Sequence, residues 1–166
     1  LNMSELTLPK LNKFTISNRL EIINKLKKII NPENVLSENE EMRPYETDAL
    51  SAYKQMPLAV ILPENTQEVS VVLKYCNKEN IKVIPRGAGT GLSGGALPLQ
   101  DAILLGLGKF NKILEIDFDN KCVVAQPGVT NLSITQSVQD KGFYYAPDPS
   151  SQLACSIGGN VAENSG

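Results

Sequence analysis

"PRGAGTGLSGGA", Pro85 to Ala96, sets glycine at positions 87, 89, 91, 94 and 95. Glycine admits φ > 0 and removes the Cβ that would hold a ligand away from the main chain. So dense a run brings backbone N–H groups close to something, with Thr90 and Ser93 adding hydroxyl donors and Arg86 a fixed positive charge. Gly89-x-Gly91-x-x-Gly94 matches the dinucleotide fingerprint letter for letter. That fingerprint works only where a helix opens inside the motif and turns its N-terminus to the pyrophosphate. Here Pro98 follows, and the next apolar run, "AILLGL" (Ala102 to Leu107), reads as a strand. No Gly-Lys-Ser/Thr occurs, which excludes the phosphate loop of nucleotide hydrolases. Two readings remain: a helix-free nest of amides for an anion, or a glycine-rich turn that holds nothing.

The flanks decide the fold. "LAVILP" (Leu58 to Pro63) is a short strand, and "IKVIP" (Ile81 to Pro85) is another. Between them Val69, Val72, Leu73 and Cys76 recur at helical spacing behind a Thr66 cap. Strand, helix, strand at these lengths predicts a right-handed β-α-β unit with parallel strands. The glycine run leaves the carboxyl end of its second strand, where open α/β sheets place ligands. Downstream, "LEIDFD" (Leu114 to Asp119) and "CVVAQP" (Cys122 to Pro127) predict a hairpin with one wet face, turning at Asp119-Asn120. "TNLSITQSVQDKG" (Thr130 to Gly142) predicts a capped helix closed by glycine. Upstream, Ser17 to Ile30 predicts a helix capped by Asn18 with Glu21 and stopped at Asn31-Pro32, while Asn34 to Met56 reads as irregular. The fold class is α+β, a small parallel unit followed by an antiparallel one.

At 166 residues the chain suits one domain that buries roughly 70% of its unfolded surface. A net charge of −2 argues against binding to nucleic acid, which calls for a basic face. The apolar runs fall far short of a membrane span, and "LNMSELTLPK" has no secretory pattern. Cys76, Cys122 and Cys155 stand far apart with no C-x-x-C spacing, which suggests neither disulfides nor zinc and favours the cytoplasm. There is no histidine, so the commonest general base and metal ligand are both missing. The alternation Glu115, Asp117, Asp119 is a solvated strand face rather than a metal cluster. Lys25, Lys27 and Lys28 are the wet side of a helix.

Two further stretches favour the nest over the empty turn. "PGVTN" (Pro127 to Asn131) places a glycine turn ahead of a helix, and "PDPSSQLACSIGGNVAENSG" (Pro147 to Gly166) supplies another glycine loop at Gly158-Gly159. One loop cannot hold a dinucleotide along its length; three at the ends of neighbouring elements could.

Together "VIPRGAGTGLSGGA", "VVAQPGVTNLSI" and "APDPSSQLACSIGGNVAENSG" resemble the FAD-binding half of flavoproteins of the vanillyl-alcohol-oxidase/p-cresol-methylhydroxylase (PCMH) type. Within it the chain is most similar to the glycolate-oxidase D-subunit group, which includes FAD-linked D-lactate and D-2-hydroxyglutarate dehydrogenases. The resemblance runs from Tyr45 to Gly166 and implies a PCMH-type FAD-binding domain over 45–166, behind an N-terminal helical extension over 1–44. It implies that Arg86, Gly87, Ala88, Gly89, Thr90, Gly91, Leu92, Ser93 and Gly94 wrap the FAD pyrophosphate, with Pro127, Gly128 and Val129 as a second contact. A third comes from Asp148, Pro149, Ser150, Cys155, Ser156, Ile157, Gly158, Gly159 and Asn160. Thr90 stands where some relatives carry a flavin-linking histidine, so the resemblance implies noncovalent FAD, with Cys155 an inert buried thiol. The reaction implied is oxidation of a small 2-hydroxy acid by hydride transfer to flavin N5.

Members of that family continue past "NVAENSG" into the rest of the FAD domain and a substrate-binding cap, so the chain is expected to be a truncated FAD domain with no catalytic residue and no metal ligand of its own. Loop donors at about 1.5–3 kcal/mol each sum to roughly 5–8 kcal/mol, against about 12 for nanomolar binding. FAD should therefore bind weakly or not at all. The alternatives are a non-catalytic remnant, a module that needs partner subunits or a separate C-terminal half, or a cell-wall reductase of a UDP-sugar enol ether. "APDPSSQLACSIGGN" fits the hydroxy-acid enzymes better.

Overall fold

The computed structural model describes residues 9–147, 149–151 and 153–165. The apolar runs around the glycine segment build its sheet. β2 (Ala59–Ile61), β3 (Lys82–Arg86) and β4 (Ala102–Gly106) are parallel, and helix α4 (Thr66–Lys78) links β2 to β3. β2 and β3 are not neighbours, however: β4 lies between them, with Ile103 opposite both Ala59 and Val83. This explains the unbroken apolar run of β4, since a central strand covered on both faces has no wet side, and all five of its residues are buried.

Side chains alternate across this sheet with period two. Ala59, Ile61, Ile103 and Leu105 face α4 and a second helix, where Val72 and Cys76 meet Ile22, Ile23 and Leu26. Val60 and Leu104 face the other way, against Met42 and Leu62 with Tyr45 and Met56 beside them. Burial pushes the Cys76 thiol up to about 11.

The segment before residue 45 is part of this core. Helix α1 (Lys13–Ser17) is unexpected and precedes α2 (Arg19–Ile29), the helix expected over Ser17 to Ile30. Asn12 caps the first by accepting from Phe14 N and Thr15 N at 3.1 and 3.3 Å. Asn18 stands at the N-cap of α2 as expected but makes no side-chain capping bond: its side-chain amide donates back to Phe14 O at 3.0 Å. β1 (Val35–Leu36), within the stretch read as irregular, pairs antiparallel with β2 and completes the order β1-β2-β4-β3. The short helix α3 (Asn39–Met42) follows it. The cap of α4 is Asn65, one residue before the expected Thr66, accepting from Glu68 N at 2.9 Å.

β3 is an edge strand with Pro85 in it. At its start Lys82 Nζ reaches the buried Asp101 carboxylate at 2.7 Å, and Asn12 N donates to the same oxygen at 2.6 Å. Burial alone would raise the Asp101 carboxyl, but these bonds outweigh it and hold it below its ordinary value.

The expected hairpin is β5 (Ile113–Asp117) with β6 (Cys122–Ala125). Asp117 closes its turn by accepting from Asn120 N at 2.9 Å, and Lys121 takes φ +55°. Helix α5 (Asn131–Val138) is capped by Thr130 and followed by Gly142 at φ +78°. The Gly158-Gly159 loop is a helix, α6 (Ile157–Glu163), capped by Ser156 Oγ. Its two glycines predict a loop, but the chain is held helical by outside ties: Ile157 N and Gly158 N donate to Val129 O and Pro127 O, both at 2.8 Å. Among the described residues no helix is long and apolar enough to cross a membrane.

Candidate functional site

The glycine run leaves β3 as irregular chain, with Gly89 at φ +74° and Gly94 at φ +75°. Carbonyls fix its course. Gly89 O accepts from Ala49 N at 2.9 Å, and Gly94 O from Leu97 N at 3.2 Å. The N–H groups behave differently. Among the described residues, none from Gly87 to Ala96 finds a hydrogen-bond acceptor in the protein. Ten consecutive main-chain donors are thus left free for solvent or a ligand, since none of these residues is buried.

All of these residues but Gly94 border a cavity of about 800 Å³, within the usual range for a small-molecule site. Its opposite wall is α6. A Cβ at Gly87 would lie 2.6 Å from Ser156 Oγ, at the start of that helix, and a Cβ at Gly95 would lie 3.6 Å from Glu163 Oε1, at its end. Loop and helix thus run side by side along the cavity.

Of the residues expected here, Arg86 through Ser93 border it, with Pro127, Pro149, Ser150, Cys155, Ser156, Gly158, Gly159 and Asn160. Gly94, Gly128, Val129 and Ile157 do not. Gly128 is wedged among main-chain atoms, where a Cβ would lie 2.3 Å from Leu107 O and 2.7 Å from Phe110 O. Val129 is buried, and Ile157 borders a separate apolar groove of about 540 Å³ beneath the hairpin. Asp148 lies outside the described residues.

Arg86 borders the cavity, yet its guanidinium is engaged elsewhere. It donates to Thr47 O at 2.7 Å and lies 5.7 Å from the centre of the Tyr45 ring. It also fills the space a Cβ on Gly89 would need, 2.3 Å from that position. Arg86 is thus a brace behind the loop, giving its charge at short range rather than a direct side-chain contact. Burial makes its proton easier to lose, the nearby Asp48 carboxylate offsets this, and it stays cationic at neutral pH. Gly158 likewise serves packing, since a Cβ there would lie 2.6 Å from Pro127 Cβ. Asn160 donates to Asn131 Oδ1 at 2.5 Å, and Asn131 donates to Pro147 O at 3.0 Å, locking α6, α5 and the proline loop together.

The cavity also takes in Pro85, Gly95, Ala96, Leu107, Ser151, Ala162, Glu163 and Ser165. Gly95 and Ala96 belong to the same quoted run. Ala162 and Glu163 lie three and four residues beyond Gly159, one helical face, a signal readable only once α6 is known to be a helix.

The fold is that of solved proteins of the PCMH class. An alkyldihydroxyacetonephosphate synthase superposes with TM-score 0.77 at 19% identity, over 98% of this chain and 31% of that one. p-Cresol methylhydroxylase superposes with TM-score 0.77 at 22% identity, over 96% of this chain and 32% of its own. The model of the FAD binding domain family matches residues 57–166, and the chain belongs to that family. It is 53% identical over 132 residues to the glycolate oxidase subunit GlcD of Escherichia coli K12, covering 80% of this chain and 26% of the relative. The GlcD of Bacillus subtilis is 41% identical over 146 residues, covering 88% of this chain and 31% of the relative. D-2-hydroxyglutarate dehydrogenase of Arabidopsis thaliana is 36% identical over 140 residues, covering 84% and 25%. The chain thus spans about a quarter to a third of the length of the curated relatives it matches.

FAD is the cofactor of this family, and the residues present fit it. The donors are neutral amides that suit a diphosphate, and the wall is of glycine, alanine and serine, leaving the backbone approachable. Gly91 would carry its Cβ into space with no protein atom within 4 Å.

Proposed function

We propose that this chain is the FAD-binding part of an oxidoreductase that oxidises a small 2-hydroxy acid of the glycolate or D-lactate type. The observation that carries the cofactor part is the row of open N–H groups from Gly87 to Ala96 along a cavity of about 800 Å³. The names of the relatives, glycolate oxidase subunit and D-lactate dehydrogenase among them, support the substrate class. Flavin, when bound, supplies a two-electron acceptor at N5 for the hydrogen on the α-carbon of the acid. The residues of this chain hold and orient. The amides of the loop take the diphosphate, Thr90 and Ser93 add hydroxyl donors, and Arg86 keeps the loop in place with its charge close behind Gly89. The wall formed by Ser156, Gly159 and Asn160 faces it across the cavity.

FAD is held without a covalent bond in this reading. Thr90 offers no nitrogen nucleophile, and the Cys155 thiol, 3% exposed, packs as a small apolar group. All three thiols are free, which supports a reducing, cytoplasmic setting. Partner subunits are part of the proposal, because the Escherichia coli and Bacillus subtilis relatives are named as subunits.

Titration calorimetry tests this. Donors summing to roughly 5–8 kcal/mol correspond to a Kd between about 0.2 mM and 1 µM for FAD, and denaturation should release all the flavin, leaving the mass of the bare chain. Absence of saturable FAD binding both by this chain and by this chain mixed with the complementary part of a relative, at several times that concentration, would overturn the reading.

A further inference from the structure

The cavity is electrically polar along its length. Among the described residues it has one basic and one acidic side chain on its wall, Arg86 and Glu163. They sit at opposite ends. The guanidinium of Arg86 lies against Gly89, while the carboxylate of Glu163 lies against Gly95. The seven residues of α6 span the interval between Ser156, beside Gly87, and Glu163, which at 1.5 Å per residue is about 10 Å.

A carboxylate accepts hydrogen bonds and donates none, so it repels a phosphate and selects a donor-rich group. Glu163 is exposed, and no protein donor within hydrogen-bonding distance is described for its side chain. A dinucleotide presents such donors beside its diphosphate, as the hydroxyls of the sugar or ribityl chain. We infer that Glu163 is a specificity-determining residue of the cradle: it accepts hydrogen bonds from a polyol flanking the diphosphate, and so fixes where along the cavity the diphosphate lies. The diphosphate is then at the Gly87–Gly89 end and the polyol at the Gly95 end. Adjacent hydroxyls suit the two oxygens of one carboxylate, and hydrogen bonds to a charged acceptor are the strong ones. This rests on the reading that the loop holds the diphosphate of FAD.

The test is to titrate wild type, Glu163→Ala and Glu163→Gln with FAD and, separately, with inorganic pyrophosphate, which has the charge without the polyol. FAD should weaken about tenfold in Glu163→Ala, the effect of one charged hydrogen bond partly exposed to water. Pyrophosphate should bind the variant as well as wild type or more tightly, because a like charge has gone. Glu163→Gln, which keeps an acceptor oxygen, should lose less FAD affinity than Glu163→Ala. Unchanged FAD affinity in Glu163→Ala overturns the proposal, and so does a parallel loss of both ligands, the mark of a disturbed fold. Wild type that binds pyrophosphate but shows no preference for FAD also overturns it while leaving the anion cradle intact. Wild type that binds neither overturns the underlying cofactor reading, and this inference with it.

Discussion

The four-stranded sheet and the β5–β6 hairpin show how differently two halves of one chain can be built. β4 is buried at all five positions, whereas no residue of β5 or β6 is. The sheet is covered on both faces, with α2 and α4 on one and Met42, Leu62 and Tyr45 on the other. The hairpin has a Phe118–Phe143 ring pair at 5.6 Å beside it, and an apolar groove separates it from Ile134 and Val138 of α5. An isolated two-stranded ribbon is marginal in water. Stability resides in the first half, and the binding surface is assembled from its upper rim and the loops that join the second.

That contrast is open to attack, most severely in the core. Leu104→Ala deletes a fully buried side chain of the central strand and should cost about 3 kcal/mol, read from the urea midpoint. Val124→Ala in the hairpin, at a position 47% exposed, should stay within about 0.5 kcal/mol. Equal losses would erase the distinction between the halves.

Gly128→Ala probes the seam. Its new Cβ would run into Leu107 O and Phe110 O, two backbone atoms that cannot swing aside, and the expected loss is about 2 kcal/mol in the same measurement. If the variant melts as wild type, the seam is looser than the contacts imply.

Asp101→Asn tests the foot of the sheet. Lys82 is partly exposed, so the pair is screened and about 1 kcal/mol should be lost at pH 7. The folded carboxyl lies below its ordinary value of about 3.9. Its contribution is therefore complete above that value and disappears as pH falls through the lower, folded one. Denaturation midpoints of wild type and variant should differ at pH 6 and converge below about pH 4. A gap that persists in acid would show that shape, not charge, holds Lys82 and Asn12 there.

The gentlest change sharpens the comparison most. Gly91→Ala puts a methyl group where no protein atom lies within 4 Å, so stability should hold within about 0.5 kcal/mol. The same methyl stands on the cavity wall, and pyrophosphate binding should fall about tenfold, equivalent to about 1.4 kcal/mol. A variant that lost stability but kept the anion would reverse the division of labour drawn above.

Much of this was legible in local patterns. The β2-α4-β3 unit, the hairpin, the α5 helix and the helix-free glycine loop follow from runs, periods and punctuation that act over a few residues. What stayed hidden depends on contacts distant in sequence. The position of β4 between β2 and β3 is set by pairing of Ile103 with residues 44 and 20 positions away, which no local period encodes. β1 is two residues long, below any periodic signal. α6 opens with two poor helix formers and exists because Val129 and Pro127 offer carbonyls to its first turn. At the site, the glycine positions mark the loop, but glycine in a sequence does not say why it is there. Gly91 leaves room for a ligand, whereas Gly128 and Gly158 make room for the protein itself. Arg86 reads as an anion partner until its guanidinium is found on Thr47 O.

Pro85 has a consequence for how such molecules associate. Arg86 O accepts from Leu107 N, so the alternate residue, Pro85, turns its ring nitrogen toward the outside of the edge strand. A chain approaching that side would meet no hydrogen where one is required, and the sheet is thereby guarded against lengthening into fibrils from this flank.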